Sequence, residues 1–404
     1  MLLTIAWRNI WRNRSRSLVI IGAIILGIWA LSFLNSWMMG MGEMYVADII
    51  DNQTSHIQIH NEEFLKEHKS EFVIPNSNEV ISELKRTQGI ESMSARIIVN
   101  GIVTAPRMSK GVSIRAVNPA DEAAVVNLNN KIKAGDYFND EKRNPILIGE
   151  ALAEKLKIKV GKKITLQYQD LNGELTAQVY RIVGLYSSGN TKIDEGIVYV
   201  RHQDFAPVFK NEGNVHEIAI RVNDFEKTKT IATGLGVTLR NLKVQNYEEV
   251  MPMIKLFDTQ FKTSGSIITT IVMIALIFGI INTMLMAVLE RVKELGVLMA
   301  VGMNRIRVFG MIVIETLLLS IVGLPVGIVL GFITVVYLNK NGIDLSSYEA
   351  GLSDFGMSSM IYPSIDPSFF VSISISVFFT ALMASLYPAF KATRLRPIEA
   401  INKI

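Results

Sequence analysis

Glu290-Arg291-Val292-Lys293-Glu294-Leu295-Gly296-Val297-Leu298-Met299-Ala300-Val301-Gly302 is a short charged segment held between two apolar runs, 263–289 and 308–338. Each run is long enough to cross a bilayer, since a helix rising about 1.5 Å per residue needs roughly 20 apolar residues to span the hydrocarbon. The segment is therefore a tight connector at one membrane face. Glu290 and Glu294 stand four residues apart, Arg291 and Lys293 alternate with them, and Val292, Leu295 and Leu298 or Met299 return at helical spacing. This predicts an amphipathic helix lying on the membrane, with Glu290, Arg291 and Glu294 open to another protein and Leu295 and Leu298 as anchors. The same residues also fit a solvated loop whose charges only fix topology.

Two further runs qualify as spans, 18–39 and 368–387. A chain of 404 residues with a mean hydropathy of +0.30 is too apolar for an ordinary soluble enzyme and too mixed for a bare bundle. Charge orients the spans. Segment 1–17 carries Arg8, Arg12, Arg14 and Arg16 and no acid, segment 290–307 carries Arg291, Lys293, Arg305 and Arg307, and segment 388–404 carries Lys391, Arg394, Arg396 and Lys403. Segment 339–367 has instead Asp344, Glu349, Asp354 and Asp366. By the positive-inside bias both termini and the connector are cytoplasmic, and the 40–262 insert and the 339–367 loop lie outside. The expected fold is an α-helical membrane protein with four transmembrane helices and a mixed α/β extracytoplasmic domain between the first and second.

Trp7-Arg8-Asn9-Ile10-Trp11-Arg12 repeats an aromatic and a base every four residues. It reads either as a helix lying on the anionic leaflet with Trp at headgroup level, or as a simple topology signal. The apolar run that follows continues through Trp37 and Met39, longer than the core of a secretion signal, which predicts an uncleaved anchor.

The insert has no cysteine to brace it, so its roughly 220 residues must build a core of their own. Alternation predicts strands at 56–60, 95–103, 112–117, 163–168, 175–183, 197–200 and 217–222, and helices at 79–86 and 150–156. Asn172-Gly173 predicts the hairpin turn between two of these strands. Met253, Leu256, Phe257, Gln260 and Phe261 return at helical spacing, which predicts one unbroken helix over 247–289 serving as a stalk.

Catalytic motifs are missing. The chain holds no G-x-x-x-x-G-K-[ST], no H-E-x-x-H and no G-x-S-x-G, so it carries no P-loop of its own. Without cysteine there is no lipobox and no thiolate site. His56 and His60 share a strand face with Gln58, yet no third ligand is evident, and no metal is expected. Glu315, inside the third span, is a functional candidate or a polar packing contact. Gly323, Gly327 and Gly331 form two G-x-x-x-G motifs end to end, a strip for close helix approach within one subunit or between two. Met38, Met39, Met41 and Met44 cluster where the first span leaves the membrane, and Met251 and Met253 lie near the start of the stalk that enters the second. Flexible thioethers suit a mouth that accepts acyl chains, and they suit an ordinary plastic core as well.

Glu290-Arg291-x-x-Glu294-Leu295-Gly296-x-Leu298-x-Ala300-x-Gly302, with Arg305, Arg307 and Glu315 beyond, resembles the FtsX-like permease domain of ABC transporters. Tyr387-Pro388-Ala389-x-x-Ala392-x-Arg394-x-x-Pro397-Ile398-Glu399-Ala400 is similar to the end of that domain, and Ala6-Trp7-Arg8-Asn9 with Arg12 and Asn13 to its opening. Ile148-Gly149-Glu150-x-Leu152-Ala153-x-x-Leu156 with Val160-Gly161 resembles its outer domain. Four spans with one large domain after the first look like the lipoprotein-releasing permeases and the macrolide exporter. The exporter carries a fused ATPase, and this chain opens at its anchor, which favours the lipoprotein-releasing type.

The resemblance implies a multi-pass subunit of the inner membrane that binds no cofactor itself. ATP and magnesium would sit in a cytoplasmic ABC ATPase dimer gripping Glu290, Arg291, Glu294, Leu295, Gly296, Ala300 and Gly302, and motion would pass mechanically to the outer domain. The implied partners are that ATPase, a second permease subunit (identical or paralogous), a lipoprotein substrate with a periplasmic carrier, and membrane lipid, with no nucleic acid. The alternatives are a tripartite efflux permease for drugs or peptides and a non-transporting relay that controls a cell-wall hydrolase.

Overall fold

The computed structural model describes residues 2–12, 14–138, 143–210, 213–348, 351–352 and 359–394. The chain divides into two compact units, a helical one (Met1–Glu43, Asp258–Asp344 and Met360–Ile404) and an α/β one (Met44–Phe257 with Leu345–Ser359).

The helical unit is built on α1 (Leu2–Arg12), α2 (Arg14–Ile49), α3 (Met253–Glu290), α4 (Val292–Ala300), α5 (Arg305–Asn341) and α6 (Pro367–Thr393). Among the described residues α2, α3, α5 and α6 are long and apolar enough to cross a bilayer. Their inward faces meet in one apolar cluster that includes Ile24, Ile28, Leu276, Met284, Leu319 and Ala381. The open alternative for the glycine strip resolves within the chain. A Cβ on Gly327 would lie 2.9 Å from the Ile28 Cβ, and one on Gly331 would lie 2.7 Å from the Ser32 Cβ, so α5 is seated directly on α2. Polar contacts reinforce the bundle: Trp29 Nε1 donates to Thr334 Oγ1 at 3.0 Å, and Asn35 donates to Thr269 Oγ1 at 3.0 Å.

The expected stalk limit is corrected, and the helix that holds the expected 18–39 span is longer than that span. It runs from Arg14 to Ile49 and continues as a π-helical turn, Ile50–Thr54. Gly40 does not end it, because a Cβ there would lie 2.2 Å from the Tyr362 carbonyl oxygen, so its bareness serves a close backbone contact. The stalk helix does not start at Tyr247. Tyr247–Val250 is a separate turn closed by an Asn246–Glu249 capping box, and α3 begins at Met253. Pro252 disfavours the helical region for the residue before it, and Met251 accordingly sits at φ −132°, ψ 82°.

The α/β unit contains β1 (Ile57–His60), β2 (Ile90–Thr104), β3 (Ser109–Val117), β4 (Ile132–Gly135), β5 (Pro145–Gly149), β6 (Lys163–Gln169), β7 (Leu175–Tyr186), β8 (Ile197–Arg201), β9 (Glu217–Val222) and β10 (Lys243–Asn246). The expected strands fall within these except that His56 precedes β1, and the helices expected at 79–86 and 150–156 are found at Ser77–Leu84 and Glu150–Leu156. Gly173 makes the hairpin turn at φ 79°, and the Asp170 carboxylate accepts from the Asn172 and Glu174 N–H groups. Pairing runs β2-β3-β8-β5-β7-β6 and back to β2, so six strands close into a ring. Residues 90–96 of β2 leave the ring and pair with β9, which continues to β1 and β10. The core runs through both parts, with Ile57, Ile97, Ile114, Ile148, Leu166 and Ile218 among its fully buried members.

Candidate coupling site at the charged connector

The connector folds as a single short helix because both its ends are set locally. Arg291, at φ −101° and ψ 17°, breaks α3 from α4. Gly302, at φ 104°, turns the chain after α4, and the Asn304 side chain accepts from the Ile306 N–H to cap α5. Val292, Leu295 and Gly296 are buried beneath the helix. Leu295 is buried in the apolar cluster of the long helices, and Leu298 is partly buried against it. The opposite face carries Lys293, Glu294, Val297, Ala300 and Val301, continued by Gly302 and Ile306. Val297, Val301 and Ile306 are 50, 83 and 76 % exposed.

The charged residues do not all look outward. Arg291 is nearly buried, and its Nη1 donates to both carboxylate oxygens of Glu315 at 3.0 and 3.3 Å. Asn9 of α1 lines the same cavity as Glu315. Glu290 pairs with Arg16 of α2, and Glu294 pairs with Arg12 of α1. Arg291 is therefore corrected from an exposed contact to an internal one. The carboxylates of Glu290 and Glu294 are engaged inside the chain, although the Glu294 side chain remains half open. Glu315 is an ion-pair partner, held where α3, α4 and α5 meet.

α1 lies beside this network. Ala6 and Ile10 are buried, while Trp7 and Trp11 turn outward and meet edge to face with centroids 5.9 Å apart. Ser17 Oγ donates to the Ile10 carbonyl at 2.7 Å and fixes the corner between α1 and α2. A cavity of about 630 Å³ opens between α1 and the connector, lined by Ile5, Asn9, Arg12, Arg291, Leu295 and Glu315 among others.

The remaining singled-out residues fall elsewhere. Met38, Met39 and Met41 are half-buried on the part of α2 that belongs to the helical unit. Met44, Met251 and Met253 belong to the α/β unit, where Met251 packs on the cluster of Tyr45, Ile49, Tyr247 and Ile254. Pro388, Ala389 and Ala392 of the tail motif are buried on α6, while Asn13 and residues 395–404 lie outside the described residues.

A buried ionic cluster in the α/β unit was not legible in the sequence. Arg96, fully buried, donates through Nε and Nη2 to both oxygens of Glu122 at 2.9 and 2.8 Å and through Nη1 to Glu217 at 2.6 Å. Burial raises the Glu217 carboxyl, but Arg96 and the neighbouring bases pull it below its usual range. His60 Nε2 lies 3.1 Å from the Gln58 amide oxygen and 3.5 Å from Glu217, and His56 Nδ1 accepts from the Val222 N–H. His216, wholly buried, accepts at Nδ1 from the Ile98 N–H and donates from Nε2 to the Ser70 carbonyl, and burial lowers it to about 4. Among the described residues no group of three or more His, Cys, Asp or Glu could hold a metal ion.

Comparison with known proteins gives this arrangement its context. The model of the MacB-like periplasmic core domain matches residues 17–235, and that of the FtsX-like permease C-terminal domain matches residues 266–397. An uncharacterised ABC transporter permease of Methanocaldococcus jannaschii is 24 % identical, over 99 % of this chain and 97 % of its own length. The lipoprotein-releasing system transmembrane protein LolC of Neisseria meningitidis is 23 % identical, over 72 % of this chain and 73 % of its own. The macrolide export ATP-binding/permease protein MacB of Campylobacter jejuni is 22 % identical, and this chain spans 61 % of its length. With one family model covering the α/β insert and the other the paired spans around the connector, the chain belongs to the FtsX-like ABC transporter permeases.

Proposed function

We propose that this permease couples ATP hydrolysis in a separate cytoplasmic ATPase dimer to movement of its α/β domain, and that its transport task is release of lipoproteins from the inner membrane. The observation that carries the coupling is the outward face of α4. Three exposed apolar residues, Val297 on α4, Val301 just after it and Ile306 in the first turn of α5, accompany the exposed Lys293 and Glu294 of α4, whose other face is buried. Apolar groups left open on a connector are what a partner protein buries. The basic residues of 1–17 and 290–307 support placing this face in the cytoplasm, and the α/β domain then lies outside. Movement of α4 would reach that domain through α2 and α3, each of which supplies residues to both units. A second permease subunit and a soluble carrier for the released lipoprotein complete the proposal.

The test is affinity purification of the detergent-solubilised chain with mass spectrometry of everything retained. We expect an ABC ATPase together with acylated lipoproteins, and loss of the ATPase alone in Val301→Glu. An ATPase retained with a periplasmic adaptor and no lipoprotein would transfer the reading to efflux, the activity in the name of the MacB relative. An ATPase retained with a cell-wall hydrolase would transfer it to signal relay. No ATPase would overturn the proposal.

A further inference from the structure

The network around the connector couples two helix corners. On one side α1 ends at Arg12 and α2 begins at Arg14; on the other, α3 ends at Glu290 and α4 begins at Val292. Arg12 pairs with Glu294 and Arg16 with Glu290. Both bases and both acids are spaced by four residues, and the pairs run antiparallel. Each pair joins corresponding arms of the two corners, the surface helices α1 and α4 through Arg12–Glu294 and the spans α2 and α3 through Arg16–Glu290. Arg291, at the corner between α3 and α4, donates to the Glu315 carboxylate of α5.

We infer that Arg12 and Arg16 are positioning residues that latch α1 to the connector, so that the ATPase moves α1 and α4 as one body and drives α2 together with α3. The inference rests on the coupling reading and deepens it. Two arguments carry it beyond ordinary surface pairing. First, the acids of the connector are engaged by this chain's own arginines, which gives their charge a role other than partner contact. Second, the Arg12–Glu294 side chains are half exposed, and an exposed pair contributes little to folding stability. Arg16–Glu290 is the less exposed of the two, and two pairs that link the same two corners restrain their relative motion. Without the latch, displacement of α4 passes to α3 by chain continuity and packing, and α2 follows only through its packing.

The chain has no cysteine, so Leu175→Cys, at a 79 % exposed position on β7, provides a unique labelling site in the α/β domain. The complex of the labelled chain with its co-purifying ATPase would be placed in lipid nanodiscs, and the ATP-dependent change in an environment-sensitive dye recorded. We expect Arg12→Glu to retain the ATPase and the wild-type melting temperature within a few degrees, while the dye response falls at least tenfold. Arg12→Glu combined with Glu294→Arg should restore it to within about twofold, and Arg12→Lys should keep it. A double reversal that retains the ATPase without restoring the response overturns the latch, as does loss of the ATPase in Arg12→Glu. A wild-type chain that retains no ATPase overturns the coupling reading instead, and the latch falls with it.

Discussion

Arg291 and Glu315 show how a single pair decides the behaviour of a buried site. Breaking a buried ion pair on one side leaves an uncompensated charge, which typically costs about 3–5 kcal/mol, whereas replacing both members with apolar groups is often neutral. We therefore expect Arg291→Ala to lower the melting temperature of the solubilised chain sharply, and Arg291→Met with Glu315→Leu to recover most of the loss. Glu315 could be singled out in the sequence because an acid inside an apolar run is conspicuous. Its partner could not, since Arg291 lies 24 residues away across a connector whose direction only the fold determines. His216 was passed over for a related reason: one histidine just before a strand looks the same whether buried or exposed. Its ring is held near 4 in the folded chain against about 6.5 unfolded, so the unfolded state binds the extra proton between those values. Stability is complete above pH 6.5 and falls as the pH drops toward 4, by up to about 3 kcal/mol. Thermal melts from pH 7.5 to 4.5 should show this loss, and it should shrink in His216→Gln.

At the scale of elements, apolar length and spacing are strong signals and chain ends are weak ones. The four spans, the connector helix and the Asn172-Gly173 hairpin could be read because each rests on a local pattern. The continuation of α2 to Ile49 could not, and neither could the close approach of Gly40 to the Tyr362–Ser364 backbone, more than 300 positions away. Pro252 was visible but was overridden by the periodicity on either side of it. The glycine strip of α5 makes the clearest prediction at this scale. Gly327→Leu would drive a side chain into Ile28 and push α5 off α2, at a cost of at least about 1–3 kcal/mol for an overpacked contact. Gly279→Ala meets nothing within 4 Å and should be tolerated or mildly stabilising by helix propensity. Comparing expression and melting temperature of the two variants checks both expectations.

For the whole molecule, the sequence supports the count of spans and an α/β insert, but not the pairing order that closes six strands into a ring. Pairing joins segments as far apart as β3 and β8, and alternation tells which face of a strand is buried without telling what lies beside it. The ring and the β9-β1-β10 sheet share one element, β2, whose first half serves one and second half the other. Fifteen residues of continuous strand with no intervening loop leave no place for either half to open while the other stays shut. In native-state hydrogen exchange, the amides of Ser94 and Val103 should therefore exchange with one free energy and one denaturant dependence, as members of a single foldon. The α/β domain would then respond to a pull as one cooperative body, carrying displacement across its full width before any part of it yields.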